Sequence, residues 1–142
     1  MKKNNDEKYR IGYTAGTFDM FHIGHLKILE RAKERCDFLI VAVSTDELVE
    51  DYKHHKTIIP FKERCAIVSA IKYVDKVVPQ VDMDKIRAAK KYKINVMFVG
   101  DDWKGTEKWN KIEKELQNLG INLVYLPHTD GISSTILRKK IA

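Results

Sequence analysis

The chain has 142 residues, 44% of them apolar, 32% charged and 9% aromatic, which suits one self-sufficient core and is too short for two ordinary domains. Its longest apolar run, 38–43, cannot span a bilayer, and the polar start over 1–10 is unlike a signal peptide, so no membrane insertion and a cytoplasmic location are expected. The 26 basic residues outnumber the 20 acidic ones by a net +6, an excess that suits anionic ligands, whether a phosphorylated small molecule or nucleic acid.

Residues 1–9 are polar and read as a flexible tail, leaving 10–142 as one domain. Short β-branched runs then alternate with amphipathic ones. Strands are predicted at 11–15, 38–43, 76–78, 96–99 and 123–126, apolar on both faces as in a sheet covered on both sides. Helices are predicted at 24–36, 62–72, 83–92, 107–118 and 133–141, with Gly120 as a stop and Ser133–Ser134 as caps. Cys36 and Cys65 fall inside helical patterns and are expected to be buried reduced thiols. The alternation predicts an α/β fold: a doubly wound, parallel five-stranded sheet with helices on both faces. Such sheets bind ligands at the carboxyl ends of their strands, which directs attention to 16–19, 44–46, 79–80, 100–103 and 127–131.

The first of these segments runs from strand to helix as Gly16-Thr17-Phe18-Asp19-Met20-Phe21-His22-Ile23-Gly24-His25. It is neither a GxGxxG fingerprint nor a P-loop. His22 and His25 are three apart at a helix start, share a face, and sit beside backbone N–H donors suited to a phosphate. Two other readings stand beside that one. The histidines could pack structurally against the turn, or bind a metal, although the sequence offers no third zinc ligand at a recognisable spacing.

These residues resemble the HxGH nucleotidyltransferase superfamily, and within it the glycerol-3-phosphate cytidylyltransferases. The likeness extends over 42–47, 72–75, Gly100-Asp101-Asp102-Trp103 and 125–135, the last two segments being the more specific. The resemblance implies a Rossmann-like fold and transfer of CMP from CTP to a phosphorylated alcohol, most simply glycerol 3-phosphate, with release of pyrophosphate. It implies a Mg2+ ion carried with the triphosphate, no covalent enzyme intermediate, and a homodimer with contact near 72–75. Phosphocholine, or a sugar phosphate with ATP, is an alternative substrate set. A non-catalytic nucleotide-binding module is a further one, whereas no nucleic-acid-binding motif is present.

By the same resemblance His22, His25 and Lys56 would act on the CTP phosphates. Thr17, Phe18, Asp102, His128, Thr129, Gly131, Ile132, Ser133, Ser134 and Thr135 would complete the nucleotide site. Lys53, Arg64, Lys72 and Lys85 would hold the acceptor, Lys53 and Lys56 from a loop over 52–57. Taken alone, Lys85 with Arg87, Lys90, Lys91 and Lys93 reads as a solvated helix face. Arg64 and Lys72, eight apart, would point in similar directions on one helix. The chain departs from the family pattern at Lys72 and His128, where arginine is usual, and at Asp130, where glutamate is.

Overall fold

The computed structural model describes residues 8–128 together with 137, 139 and 140. Five strands, β1 (Tyr9–Gly16), β2 (Cys36–Ser44), β3 (Lys76–Gln80), β4 (Val96–Gly100) and β5 (Asn122–Leu126), form one sheet. Its order is β3-β2-β1-β4-β5 and every neighbouring pair is parallel. The helices are α1 (Ile23–Lys33), α2 (Asp46–Lys53), α3 (Phe61–Ser69), α4 (Lys85–Tyr92) and α5 (Glu107–Asn118), with a single 3-10 turn at Asp101–Trp103.

Each face of the sheet carries its own core. Along β2, Leu39, Val41 and Val43 join Leu29, Ala32 and Val68 on the side of α1 and α3. Ile40 and Ala42 join Ala89, Trp109 and Leu116 on the side of α4 and α5. That two-sided burial is why β2 reads as an unbroken apolar run rather than an alternating one. Gly12 is required where β1 runs between these layers, since a Cβ there would lie 2.7 Å from Cys36 Sγ and 2.7 Å from the Phe98 ring.

All five predicted strands are present, and α5 has the predicted limits. It ends as the sequence suggests: Gly120 takes φ 77°, and the N–H groups of Gly120 and Ile121 return to the carbonyls of Gln117 and Leu116, a Schellman motif. Elsewhere the limits differ. Tyr9, assigned from sequence to the tail, opens β1 and pairs with Cys36. α1 stops at Lys33, so Cys36 lies on β2 and not on a helix. α2 is absent from the sequence reading, in which its last residues were taken for a loop. Its cap is Thr45, whose hydroxyl accepts from the Leu48 N–H. Of the predicted 133–141 helix, residues 137, 139 and 140 are described and are helical. No helix among the described residues is long and apolar enough to cross a membrane.

Candidate active site

β1 is flanked by β2, its successor in the chain, on one side and by β4 on the other. The chain therefore reverses its direction of winding beside β1, and a crevice opens at the carboxyl ends of β1 and β4. A cleft of about 500 Å3 occupies that place, walled by Thr17, Phe18, His25, Lys53, His55 and Trp103. A second chamber of about 460 Å3 adjoins it, lined by Gln80, Lys85, Lys108 and Trp109. The two share Ala15, Gly16, Thr17, Lys53, Val99 and Trp103 as a common wall.

The turn from β1 to α1 is strained. Phe18 and Met20 have φ of 55° and 50°, left-handed values that each cost a non-glycine residue about 1–2 kcal/mol. Asp19 between them holds the turn. Its carboxylate is 2% exposed and accepts from the N–H groups of Ile58 and Ile59, both at 2.8 Å. Phe18 is thereby turned inward against the rings of Phe21 and His25.

His22 caps α1 with its own side chain, Nδ1 accepting from the Gly24 N–H at 3.0 Å. His25 returns the contact, its Nδ1 accepting from the His22 N–H at 3.2 Å. This is a reciprocal capping box made of imidazoles instead of the usual serine and glutamate. With each Nδ1 lone pair so used, the hydrogen-bond network assigns the neutral ring's proton to Nε2 in both residues. Burial, reinforced by His22, pushes the His25 pKa down to about 3, and burial lowers that of His22 as well. Both rings are neutral Nε2–H donors at neutral pH. His22 Nε2 is shut off from solvent yet has no hydrogen-bond partner among the described residues, and a buried donor of this kind calls for an acceptor. The structural and phosphate readings of the pair thus divide by atom: Nδ1 holds the helix and Nε2 is left for a ligand. With Nδ1 held by backbone N–H groups and the proton on Nε2, neither ring has a lone pair free for a metal; the group of potential metal ligands among the described residues is Asp101, Asp102 and His128.

The model of the cytidylyltransferase-like family matches residues 13–140. The chain belongs to that family. It is 41% identical over 130 residues to a glycerol-3-phosphate cytidylyltransferase of Bacillus subtilis (strain 168), covering 91% of this chain and 95% of that one. It is 37% identical over 131 residues to an FAD synthase of Korarchaeum cryptofilum (strain OPF8), covering 89% of this chain and 88% of that one. A lipopolysaccharide core biosynthesis protein of Thermoplasma volcanium GSS1 shares the fold, with a TM-score of 0.71 at 24% identity over 85% of this chain and 97% of its own.

Within this cytidylyltransferase-like frame the expected residues separate. Thr17, Phe18, His25 and Lys53 line the cleft, and Lys53 Nζ donates to Thr17 Oγ1 at 3.1 Å. Lys53 is the last residue of α2, not part of a loop. Lys56 is not in the cleft: it borders a separate hollow with Asp46, Glu50 and Thr57, and His55 stands where Lys56 was expected. Arg64 and Lys72 do not share a helix face, because α3 ends at Ser69. Lys72 is exposed and lies over the Tyr73 ring. Arg64 is fully buried and donates to the carbonyls of Thr17, Ser44 and Ile59 and to Asp46. It ties the β1–α1 turn, the end of β2 and the segment before α3 to one guanidinium.

Lys85 is not on a solvated face. It is 8% exposed, bonded to Gln80 Oε1 at 2.6 Å, and set 6.0 Å from the centroid of the Trp109 ring. Burial, with Lys108 adding to it, pushes its pKa down to about 8. Trp103 is 54% exposed and presents its indole to both chambers rather than to the core. Asp101 Oδ1 lies 2.9 Å from His128 Nδ1, and Asp102 Oδ1 lies 3.3 Å from the same nitrogen. That contact holds the Asp101 carboxyl below its ordinary range. Thr129, Gly131, Ile132, Ser133, Ser134 and Thr135 lie outside the described residues.

Asp19 and Gln80 fall within the strand-end segments that the sequence singles out, but the sequence reading gives neither a role. Each is a polar residue among apolar ones at the carboxyl end of a strand, and that signal was available. That His55 rather than Lys56 lines the cleft depends on where α2 ends, a one-residue choice that the sequence leaves open.

Proposed function

We propose that this protein transfers CMP from CTP to glycerol 3-phosphate, giving CDP-glycerol and pyrophosphate. The observation that carries the reading is the pair of neutral imidazoles at the head of α1, each bound to backbone through Nδ1, with the His22 Nε2–H buried and unpartnered. Donors fixed before substrate arrives need no reorganisation as charge builds on a phosphate, which is where such sites gain most of their rate.

The triphosphate would lie in the cleft against His22, His25 and the N-terminus of α1, and the acceptor's phosphate in the second chamber against Lys85. Lys53 and Thr17, on the shared wall, stand where the two meet. An acceptor phosphate oxygen attacks the α-phosphorus of CTP, a new P–O bond forms, and the bond from the α-phosphorus to the bridging oxygen breaks. Its electron pair leaves with pyrophosphate, so no side-chain nucleophile is required. A Mg2+ ion carried with the nucleotide would supply charge neutralisation at the triphosphate. Asp101 and Asp102 would meet that ion through their carboxylate oxygens, the ligand type that suits it; these oxygens and His128 Nδ1 lie within 4.8 Å of one another.

The same reading places the enzyme in the cytoplasm, where CTP is supplied. The family resemblance adds a homodimer joined near 72–75, which light scattering after gel filtration checks. Pyrophosphate release with CTP and ATP, each against glycerol 3-phosphate, phosphocholine and FMN, tests the reaction. CTP with glycerol 3-phosphate is expected to be the fastest pair. Faster turnover of ATP with FMN would assign the chain to FAD synthesis, and stabilisation by CTP without turnover of any acceptor would make it a nucleotide sensor.

A further inference from the structure

Lys85 is placed where a lysine is costly. It is buried, it is the first residue of α4, where the helix dipole is positive, and its charged neighbours across the chamber are Lys53 from α2 and Lys108 from α5. Tyr52 is the other titratable group that faces the chamber from α2. β4 and α5 contribute the apolar Met97, Phe98, Val99 and Trp109, and the wall shared with the cleft adds no carboxylate. Against all this the ammonium has one hydrogen-bond acceptor among the described residues, Gln80 Oε1.

Gln80 is itself fixed. It is the last residue of β3, it is buried, and it pairs in register with Ser44 at the end of β2. Its Nε2 donates to Ser44 Oγ at 2.8 Å, and Ser44 is fully buried. The opposite amide orientation would face NH2 against NH3+, with no acceptor between them. The chain Ser44–Gln80–Lys85 therefore has one sense only. Its end is a neutral carbonyl that directs the ammonium without cancelling its charge, as a carboxylate would. The other two ammonium protons are left for an incoming anion.

We propose that Gln80 is a positioning residue, which holds the Lys85 ammonium at the wall of the second chamber so that it meets the acceptor's phosphate. The inference rests on the reading above that Lys85 contacts the acceptor. Gln80 keeps Lys85 both in place and protonated, so its loss acts on acceptor binding and on the pH at which that binding fails. CTP binding, in the adjoining cleft, is untouched.

The test is the pH profile of kcat/KM for glycerol 3-phosphate in the wild type, Lys85→Ala, Gln80→Leu and Gln80→Glu, with KM for CTP and the melting temperature measured alongside. The wild type is expected to lose acceptor binding as pH rises through the pKa of Lys85, about 8. Gln80→Leu raises the acceptor KM by about ten- to hundredfold and moves this alkaline limb to lower pH. Gln80→Glu moves it to higher pH, and this variant decides the matter if Gln80→Leu fails to fold. An unchanged acceptor KM in Lys85→Ala would overturn the acceptor reading itself. A raised KM in Lys85→Ala, with the wild-type limb retained in every Gln80 variant that folds, would leave that reading standing and overturn the role of Gln80. Equal losses for CTP and acceptor would also overturn it, since they mark a merely structural role.

Discussion

The rings of His22 and His25 stack with centroids 3.9 Å apart and planes 24° from parallel, because each Nδ1 is drawn onto the backbone of the same helix turn. In the proposed reaction the capping and phosphate-binding duties therefore fall on opposite edges of the same rings. In His25→Ala the loss of a transition-state donor is expected to lower kcat by about 10²–10³. The lost cap costs about 1 kcal/mol of stability. Pyrophosphate release and a thermal melt by circular dichroism measure the two effects separately. Near-normal kcat would remove His25 from the chemistry.

Burial also fixes how stability responds to acid. The His25 pKa lies near 3 in the folded chain against an ordinary 6.5. Between those values the unfolded chain holds a proton that the folded one does not, so stability rises with pH across this window and levels off above it. Urea midpoints are expected to fall from about pH 6.5 to about pH 4, and to fall less steeply in His25→Asn. Parallel slopes in the two proteins would show that His25 is not the group responsible.

Asp19 joins the strained turn to the segment before α3. An asparagine there keeps one acceptor and turns an NH2 toward a backbone N–H. Asp19→Asn is expected to cost about 1.5–3 kcal/mol, the range for hydrogen bonds to a charged group. Faster hydrogen exchange at the Ile58 and Ile59 amides is the local sign. Unchanged exchange at both would dissociate Asp19 from the loop.

Arg64→Lys tests the central tie in the same way. A lysine keeps the charge but cannot reach three carbonyls and the Asp46 carboxylate from one planar fork. The expected loss is about 2 kcal/mol or more in urea unfolding, with KM rising for CTP and acceptor together because the Thr17 turn belongs to both chambers. A selective rise for the acceptor alone would instead place Arg64 in contact with it.

What the sequence disclosed follows from the range of the forces involved. Strands buried on both faces, such as β2, and the Gly120 stop of α5 are local patterns, and they stood out. The histidine pair was legible as a helix-start motif because residues three apart share a face whatever the tertiary fold. α2 was not, since its eight residues include five charged ones and its apolar pair Leu48–Val49 is too short to show a period. Missing it shifted the reading of the 52–57 segment and put Lys56 where His55 stands. Burial of Lys85 was invisible for another reason: its chamber is assembled by β3, β4 and α5, which the sequence places apart.

By the family resemblance His128 takes the place of an arginine, and its geometry bears on what that exchange removes. An imidazole offers Asp101 and Asp102 one nitrogen, Nδ1, at 2.9 and 3.3 Å. A guanidinium would carry its charge at every working pH and has further N–H groups to offer a phosphate of the nucleotide. His128→Arg is expected to lower KM for CTP by up to about fivefold, the scale of an exposed pair, with the gain largest at low salt. His128→Ala is expected to raise that KM and to let the Asp101 carboxyl titrate at higher pH, because the contact that now lowers its pKa is gone. Carboxyl carbon shifts of Asp101 followed by NMR titration, with KM at two salt concentrations, check both. If neither variant changes KM for CTP, this rim does not touch the nucleotide, and the polyphosphate is held at the His25 end of the cleft alone.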